Sequence, residues 1–287
     1  MARGVQVYVV KNAPGRRSLG LSQALRHLSR EGLLCPKDSI PIQLKTINDR
    51  RSLTGSIADD ELFCHVTEDE LLAELGNFKY DPSKKPLFLN NSGLNHHLTY
   101  GLLKRVAESY RGPFGVLVFD AHSDGVGSPV EPKEQNAKPR KLWGGEFWAQ
   151  ALRDIPKFHI VIYPDEDHGR VMGHSRHILE PYEAPIDRDS QLAPTILATL
   201  NGRSARGVKG LYLSIDLDCL GRRYIQTDYP VEDGTTPEFL IETIEKVASK
   251  FPIIGADICG LSRKGVNKMS LQTFARIYQS LEGILAA

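Results

Sequence analysis

Six apolar stretches recur along the chain: V-Q-V-Y-V-V near the start, P-L-F-L-N at 86–90, G-V-L-V-F at 115–119, H-I-V-I-Y at 159–163, G-L-Y-L-S-I at 210–215 and P-I-I-G-A-D-I at 252–258. Each predicts a strand buried on both faces. Between them lie helical patterns at Leu19–Leu34, Glu68–Leu75, Leu98–Tyr110, Gly145–Arg153, Ala193–Leu200, Pro237–Lys250 and Leu271–Ile284. Pro237 suits a first helical turn, with Thr236 as its N-cap. Strand and helix in alternation predict an α/β fold around a mostly parallel sheet. No repeat, low-complexity tract or linker divides the chain, so one domain over residues 1–287 is expected.

Composition narrows the function classes. With 287 residues, 41% hydrophobic and 25% charged, the chain has the make-up of a soluble globular protein with a sizeable core. A formal charge of +1 supplies no field to draw nucleic acid or an acidic membrane, so a small or neutral partner is expected. No apolar run approaches the roughly 20 residues that span a bilayer, and the N-terminal run is too short for a secretory leader; a cytoplasmic protein is expected. Cys35, Cys64, Cys219 and Cys259 lack any C-x-x-C spacing and read as reduced, mostly buried thiols.

The candidate chemistry sits where apolar strands end. In open α/β sheets ligands bind beyond the carboxyl ends of the strands. The run V-L-V-F-D-A-H-S-D-G passes from four apolar residues into Asp120, His122 and Asp124. If the chain stays extended, these three project to one side. In L-Y-L-S-I-D-L-D-C-L-G the same alternation puts Asp216 and Asp218 together and turns Cys219 away. In L-F-L-N-N-S-G-L-N-H-H a strand leads through a turn to His96 and His97. Such a gathering of carboxylates repels itself unless cations occupy it. Six ligands are more than one ion uses beside a substrate, and a thiolate-free, carboxylate-rich set suits a hard ion such as Mn²⁺. The segment Gly125–Lys141, rich in Pro, Lys and Glu, is either a wall of that site or an ordinary surface loop.

These motifs resemble those of the ureohydrolase superfamily, which includes arginase and agmatinase. D-A-H-S-D matches the family's D-A-H-x-D, S-I-D-L-D its S-x-D-x-D, and G-L-N-H-H-L-T-Y-G stands where the family has a G-G-D-H segment. G-T-T-P-E, Gly234–Glu238, is similar to the G-T-G-T-P stretch. The likeness spans roughly residues 86–263. It implies a three-layer α/β/α arginase-like fold and a site for two Mn²⁺ held by His96, Asp120, His122, Asp124, Asp216 and Asp218, with Asp120 and Asp216 bridging. It also implies a homo-oligomer, and a reaction in which hydroxide shared by the metals attacks a guanidinium carbon to release urea and an amine. Asp124 would orient that hydroxide.

Two departures bear on the substrate. The family's D-I-V-E-V segment carries a glutamate that pairs with the guanidinium; here the sequence is D-I-C-G-L-S-R, with Gly260 at that position. The family's H-G pair in the loop after D-A-H-x-D is replaced by L-W-G-G-E-F-W. Glu146 in that segment is either a substitute carboxylate for a planar cation or an exposed residue of a helix start. Trp143 and Trp148 either pack in the core or line a pocket wider than free arginine needs. His97 is either an acid–base group or a packing neighbour of His96. His168, His174 and His177 form a cluster in a loop-like stretch. The expected substrate is a small-molecule or peptide guanidino (or amidino) compound. Two alternatives stand beside it: a histone-deacetylase-like zinc amidohydrolase, suggested by N-H-H at 95–97, and a non-catalytic metal-binding homologue, suggested by Gly260.

Overall fold

The computed structural model describes residues 4–11, 19–43, 81, 83–90, 95–121, 155, 158–163, 170–173, 192–202 and 207–287. Among these residues eight strands form one sheet: β1 (Val5–Lys11), β2 (Ile40–Gln43), β3 (Lys85–Leu89), β4 (Phe114–Phe119), β5 (Phe158–Tyr163), β6 (Arg170–Gly173), β7 (Gly210–Asp216) and β8 (Ile253–Cys259). Their order is β2-β1-β3-β8-β7-β4-β5-β6. Every pairing is parallel except β5 with β6. The last two strands to form in sequence, β7 and β8, are thus inserted between β3 and β4 at the centre. All residues of β4, β7 and β8 are buried, as expected for strands covered on both faces.

Among the described residues five helices cover the sheet: α1 (Leu19–Arg30), α2 (Asn95–Ser109), α3 (Leu192–Asn201), α4 (Pro237–Ala248) and α5 (Lys268–Ala286). Two apolar clusters divide them. Leu21, Leu28, Ile196, Leu240, Ile244, Phe274, Ile277 and Leu281 of α1, α3, α4 and α5 join Leu89, Phe119, Ile215 and Ile258 of the strands in one cluster. Leu98, Leu102, Leu103 and Val106 of α2 join Phe88, Val116, Val118 and Tyr212 in the other. That is a three-layer α/β/α arrangement. The expected helix start holds: Thr236 Oγ1 accepts the Phe239 amide at 3.1 Å with Pro237 next in line; α5 begins before the expected Leu271 and is opened by Asn267, whose Oδ1 accepts the Ser270 amide at 2.9 Å.

Several sequence expectations need correction. Strand β2 is absent from the six-strand reading because I-P-I-Q is short and carries a proline, which an edge strand tolerates. The stretch expected to be loop-like around the histidine cluster contains β6, added antiparallel to β5; His168, His174 and His177 themselves lie outside the described residues. The helices expected at Glu68–Leu75 and Gly145–Arg153 also lie outside them. Of the three described cysteines only Cys259 is buried, Cys219 being half-buried and Cys35 exposed; Cys64 lies outside the described residues. No described helix is long and apolar enough to cross a membrane.

Candidate functional site

The register of the four central strands fixes what stands at their carboxyl edge. Phe119 pairs with Ile215, Ile215 with Ile258, and Ile258 with Leu89. All four point into the cluster shared with α1, α3, α4 and α5. One step on, Asp120 and Asn90 follow directly after the ends of β4 and β3, and Asp216 and Cys259, the paired last residues of β7 and β8, turn to the opposite face by the two-residue pleat. This is the face covered by α2. The first turn of α2 holds His96 and His97, and since α2 follows β3 after only five residues it begins at this same edge. One layer deeper on that face, Ser214 pairs with Asp257.

Asp216 ends β7 and is 2% exposed. Its Oδ1 accepts the Asp218 amide at 3.1 Å, and its Oδ2 lies 3.4 Å from Cys259 Sγ, which donates to it. The strand does not continue: residues Leu217–Cys219 form a single 3-10 turn. Asp218 therefore reaches the edge by way of a turn and not, as alternation suggested, as the next residue on the same strand face. It is 3% exposed, and its Oδ1 accepts the Ala121 amide at 3.2 Å, which ties the end of β7 to the end of β4. Cys219 packs against the opposite cluster, as expected. Strand β4 ends at Phe119, so Asp120 and Ala121 already belong to the loop.

Gly260 follows β8 with φ of +89°, in the left-handed region that glycine favours. A Cβ built there would fall on Asp216 Oδ1 and would lie 3.0 Å from Asp216 Cγ and from the Leu217 nitrogen. A side chain at position 260 would thus collide with the carboxylate of Asp216 as it is placed here. Beyond Gly260 the chain is clamped: Asp228 Oδ1 accepts the Ser262 hydroxyl at 3.1 Å and the Arg263 amide at 3.0 Å, and its Oδ2 accepts Arg263 Nε at 2.5 Å. The Ser262 amide bonds the Gln226 carbonyl at 3.1 Å. The loop after β7 closes on itself as well, through the Thr235 amide to the Cys219 carbonyl at 2.8 Å. Gly234 is obligatory there, because a Cβ would lie 2.5 Å from the Gly221 nitrogen. The rim formed by these two loops is thus held by its own hydrogen bonds.

Of the expected metal ligands, the structure brings Asp120, Asp216 and Asp218 to one edge. The His96 and His97 backbones lie in the first turn of α2 at that edge. His122, Asp124, Trp143 and Glu146, and the side chains of His96 and His97, lie outside the described residues. Among the described residues no group of three or more His, Cys, Asp or Glu is assembled closely enough to hold an ion. The donors that are described are carboxylate oxygens, with Asp216 and Asp218 buried and Asp120 half-buried, at or just past the adjoining ends of β4 and β7, which fits a hard divalent cation. Sequence reading missed two partners of this cluster, Cys259 and Ser214. Both face their aspartates across strands, and that relation becomes visible only once the β7–β8 register is known.

The model of the arginase family matches residues 21–281 of the chain. Mitochondrial arginase 1 of Arabidopsis thaliana is 26% identical over 263 residues, covering 88% of this chain and 72% of that protein. Mitochondrial arginase 1 of Oryza sativa subsp. indica is 28% identical over 218 residues, so the chain accounts for 58% of its length, with 71% of this chain covered. The fold is similar to that of formimidoylglutamase from Bacillus subtilis, with a TM-score of 0.62 at 16% identity over 98% of this chain and 87% of that one.

Proposed function

The chain belongs to the arginase family, hydrolases of amidine C–N bonds, and we propose on that premise that it cleaves a guanidino or amidino substrate at a centre for two divalent cations, preferably Mn²⁺. The observation that carries this reading is the junction of two adjoining strand ends: Asp120 follows directly after β4, Asp216 closes β7 beside it, and Asp218 accepts the amide of Ala121 next to Asp120. Taking carboxylates out of water is costly unless charge or hydrogen bonds compensate, and a pair of cations compensates this arrangement. Asp120, Asp216 and Asp218 would hold the ions from β4 and β7, with His96, His122 and Asp124 completing the set. When bound, such ions supply a water of lowered pKa near neutrality.

The chain's own residues do the remaining work. Asp124 orients the attacking water, Glu146 pairs with the planar cation of the substrate, and Trp143 lines the pocket. His97 returns a proton to the leaving amine, so that a guanidino substrate yields urea and an amine. The family membership favours the two-metal centre over the single-zinc alternative. Gly260 favours a second reading of the substrate: with no side chain at that position, the group recognised need not be a guanidinium.

The test is metal content by mass spectrometry together with a urea-release screen over arginine, agmatine, shorter guanidino acids and arginine-containing peptides, with Mn²⁺ supplied. Two metals per chain and urea from any of these establishes the reading. Asp120→Ala and Asp216→Ala should each lose metal and activity together, whereas Glu146→Gln should keep the metal and lose turnover. Two metals without urea would move the reaction to another C–N bond; a single zinc would overturn the reading.

A further inference from the structure

The carboxylate of Asp216 is held by a device that lies wholly within the β7 and β8 ends. Its Oδ1 accepts the amide of Asp218 at 3.1 Å and its Oδ2 accepts the Cys259 thiol at 3.4 Å. The two residues stand opposite each other in the parallel register, so the thiol is delivered by the pleat and not by a loop. Both are buried, Asp216 at 2% and Cys259 at 1% exposure. The turn at Gly260 leaves open the volume that Oδ1 enters. With one oxygen tied to its own following turn and the other to the neighbouring strand, neither torsion of the Asp216 side chain is free to relax.

We propose that Cys259 is a positioning residue for Asp216, its S–H fixing the carboxylate in the orientation in which it meets the divalent ions. The inference rests on the reading of Asp216 as a metal ligand. A buried thiol is a weak donor, but an ionised acceptor strengthens the bond, and groups that hold a metal-ligating side chain in place commonly contribute 10–100-fold in metal affinity. The positioning does not depend on the sulfur itself: any donor of similar reach on the same strand position serves. Serine meets that condition and alanine, almost identical in volume to serine, does not.

The experiment titrates Mn²⁺ alone into metal-free wild type, Cys259→Ala and Cys259→Ser by calorimetry, and records the thermal unfolding of each metal-free protein. The expected result is that Cys259→Ala weakens Mn²⁺ binding by about 10- to 100-fold, that Cys259→Ser stays close to wild type, and that without metal Cys259→Ala unfolds below Cys259→Ser by no more than the loss of one thiol hydrogen bond. A purely structural part for Cys259 predicts instead that Ala and Ser weaken binding alike, or not at all, and either result overturns the proposal. Wild-type protein that binds no Mn²⁺ overturns the metal reading as well, so the two failures are distinguishable.

Discussion

Replacing Gly260 with alanine should damage the fold and the centre together. At φ of +89° an L-residue is disfavoured, by about 1–2 kcal/mol. The added Cβ would occupy the position of Asp216 Oδ1, so the carboxylate must swing away from the Asp218 amide and the Cys259 thiol. Hydrogen bonds to a charged acceptor are worth about 1.5–3 kcal/mol each, with a thiol at the bottom of that range. A loss of about 4–6.5 kcal/mol follows, a large part of the typical 5–15 kcal/mol of a folded protein. Urea unfolding of the metal-free proteins, followed by tryptophan fluorescence, measures it. The wild type should gain a further ~2.7 kcal/mol at a Mn²⁺ concentration of 100 Kd, and Gly260→Ala should gain far less. Gly260→Glu should behave the same way and should not raise guanidino turnover, because its side chain enters through the space Asp216 fills. A Gly260→Ala protein with wild-type midpoint and an undiminished Mn²⁺ shift would refute the reasoning, as would guanidino turnover gained in Gly260→Glu.

Further outcomes follow from other parts of the molecule. Ser214→Ala removes the hydroxyl that donates to buried Asp257 Oδ1 at 3.1 Å; the cost should be about 1–3 kcal/mol in urea unfolding, the range for a buried group losing its partner. Asn267→Ala deletes the cap of α5 and should cost about 1 kcal/mol, with Asn267→Ser largely restoring it. Burial raises the carboxyl of Glu282 above its ordinary 4.5. A raised acid favours folding below the unfolded value and loses that contribution as pH rises through the folded one. Glu282→Gln should therefore stabilise the protein at pH 7, and unfolding curves taken below pH 4.5 should show the gain gone. Asp228→Ala frees Ser262 and Arg263 together, and limited proteolysis should show cleavage near Arg263 that the wild type resists.

The central strands and the capped start of α4 were legible because each rests on local chemistry: an unbroken apolar run, or Thr236 before Pro237. Strand β2 was not legible, since four residues with a proline show little pattern and gain their place only by pairing with β1. That Asp120 and Asp216 stand at or just past the ends of apolar strands was legible. Their geometry was only partly so. Alternation placed Asp216 correctly, but Asp218 reaches the edge through the 3-10 turn that Asp216 itself caps. Gly260 read as a lost carboxylate in sequence; in space the glycine is what lets Asp216 occupy its site. Cys259 gave no signal in sequence, because a thiol two residues past an aspartate is unremarkable until register puts it across from another.

Register also explains why core and site stand or fall together. Leu89, Ile258, Ile215 and Phe119 form one row pointing into the cluster under α1, α3, α4 and α5. Cys259 and Asp216 are the next residues of β8 and β7 and point the other way, and Asn90 and Asp120 follow directly after β3 and β4. A slip of one residue in any of these strands would drive its polar group into an apolar layer and its apolar residue towards the proposed ions. The four apolar side chains thus enforce the alignment of the carboxylates from the opposite face of the sheet. Each is 4% exposed or less, so no strand can trade rows without exposing or stranding a side chain. The chemistry at this edge is therefore specified by packing that never touches it, and the loops after β7 and β8 need only close over a row whose placement the sheet has already decided.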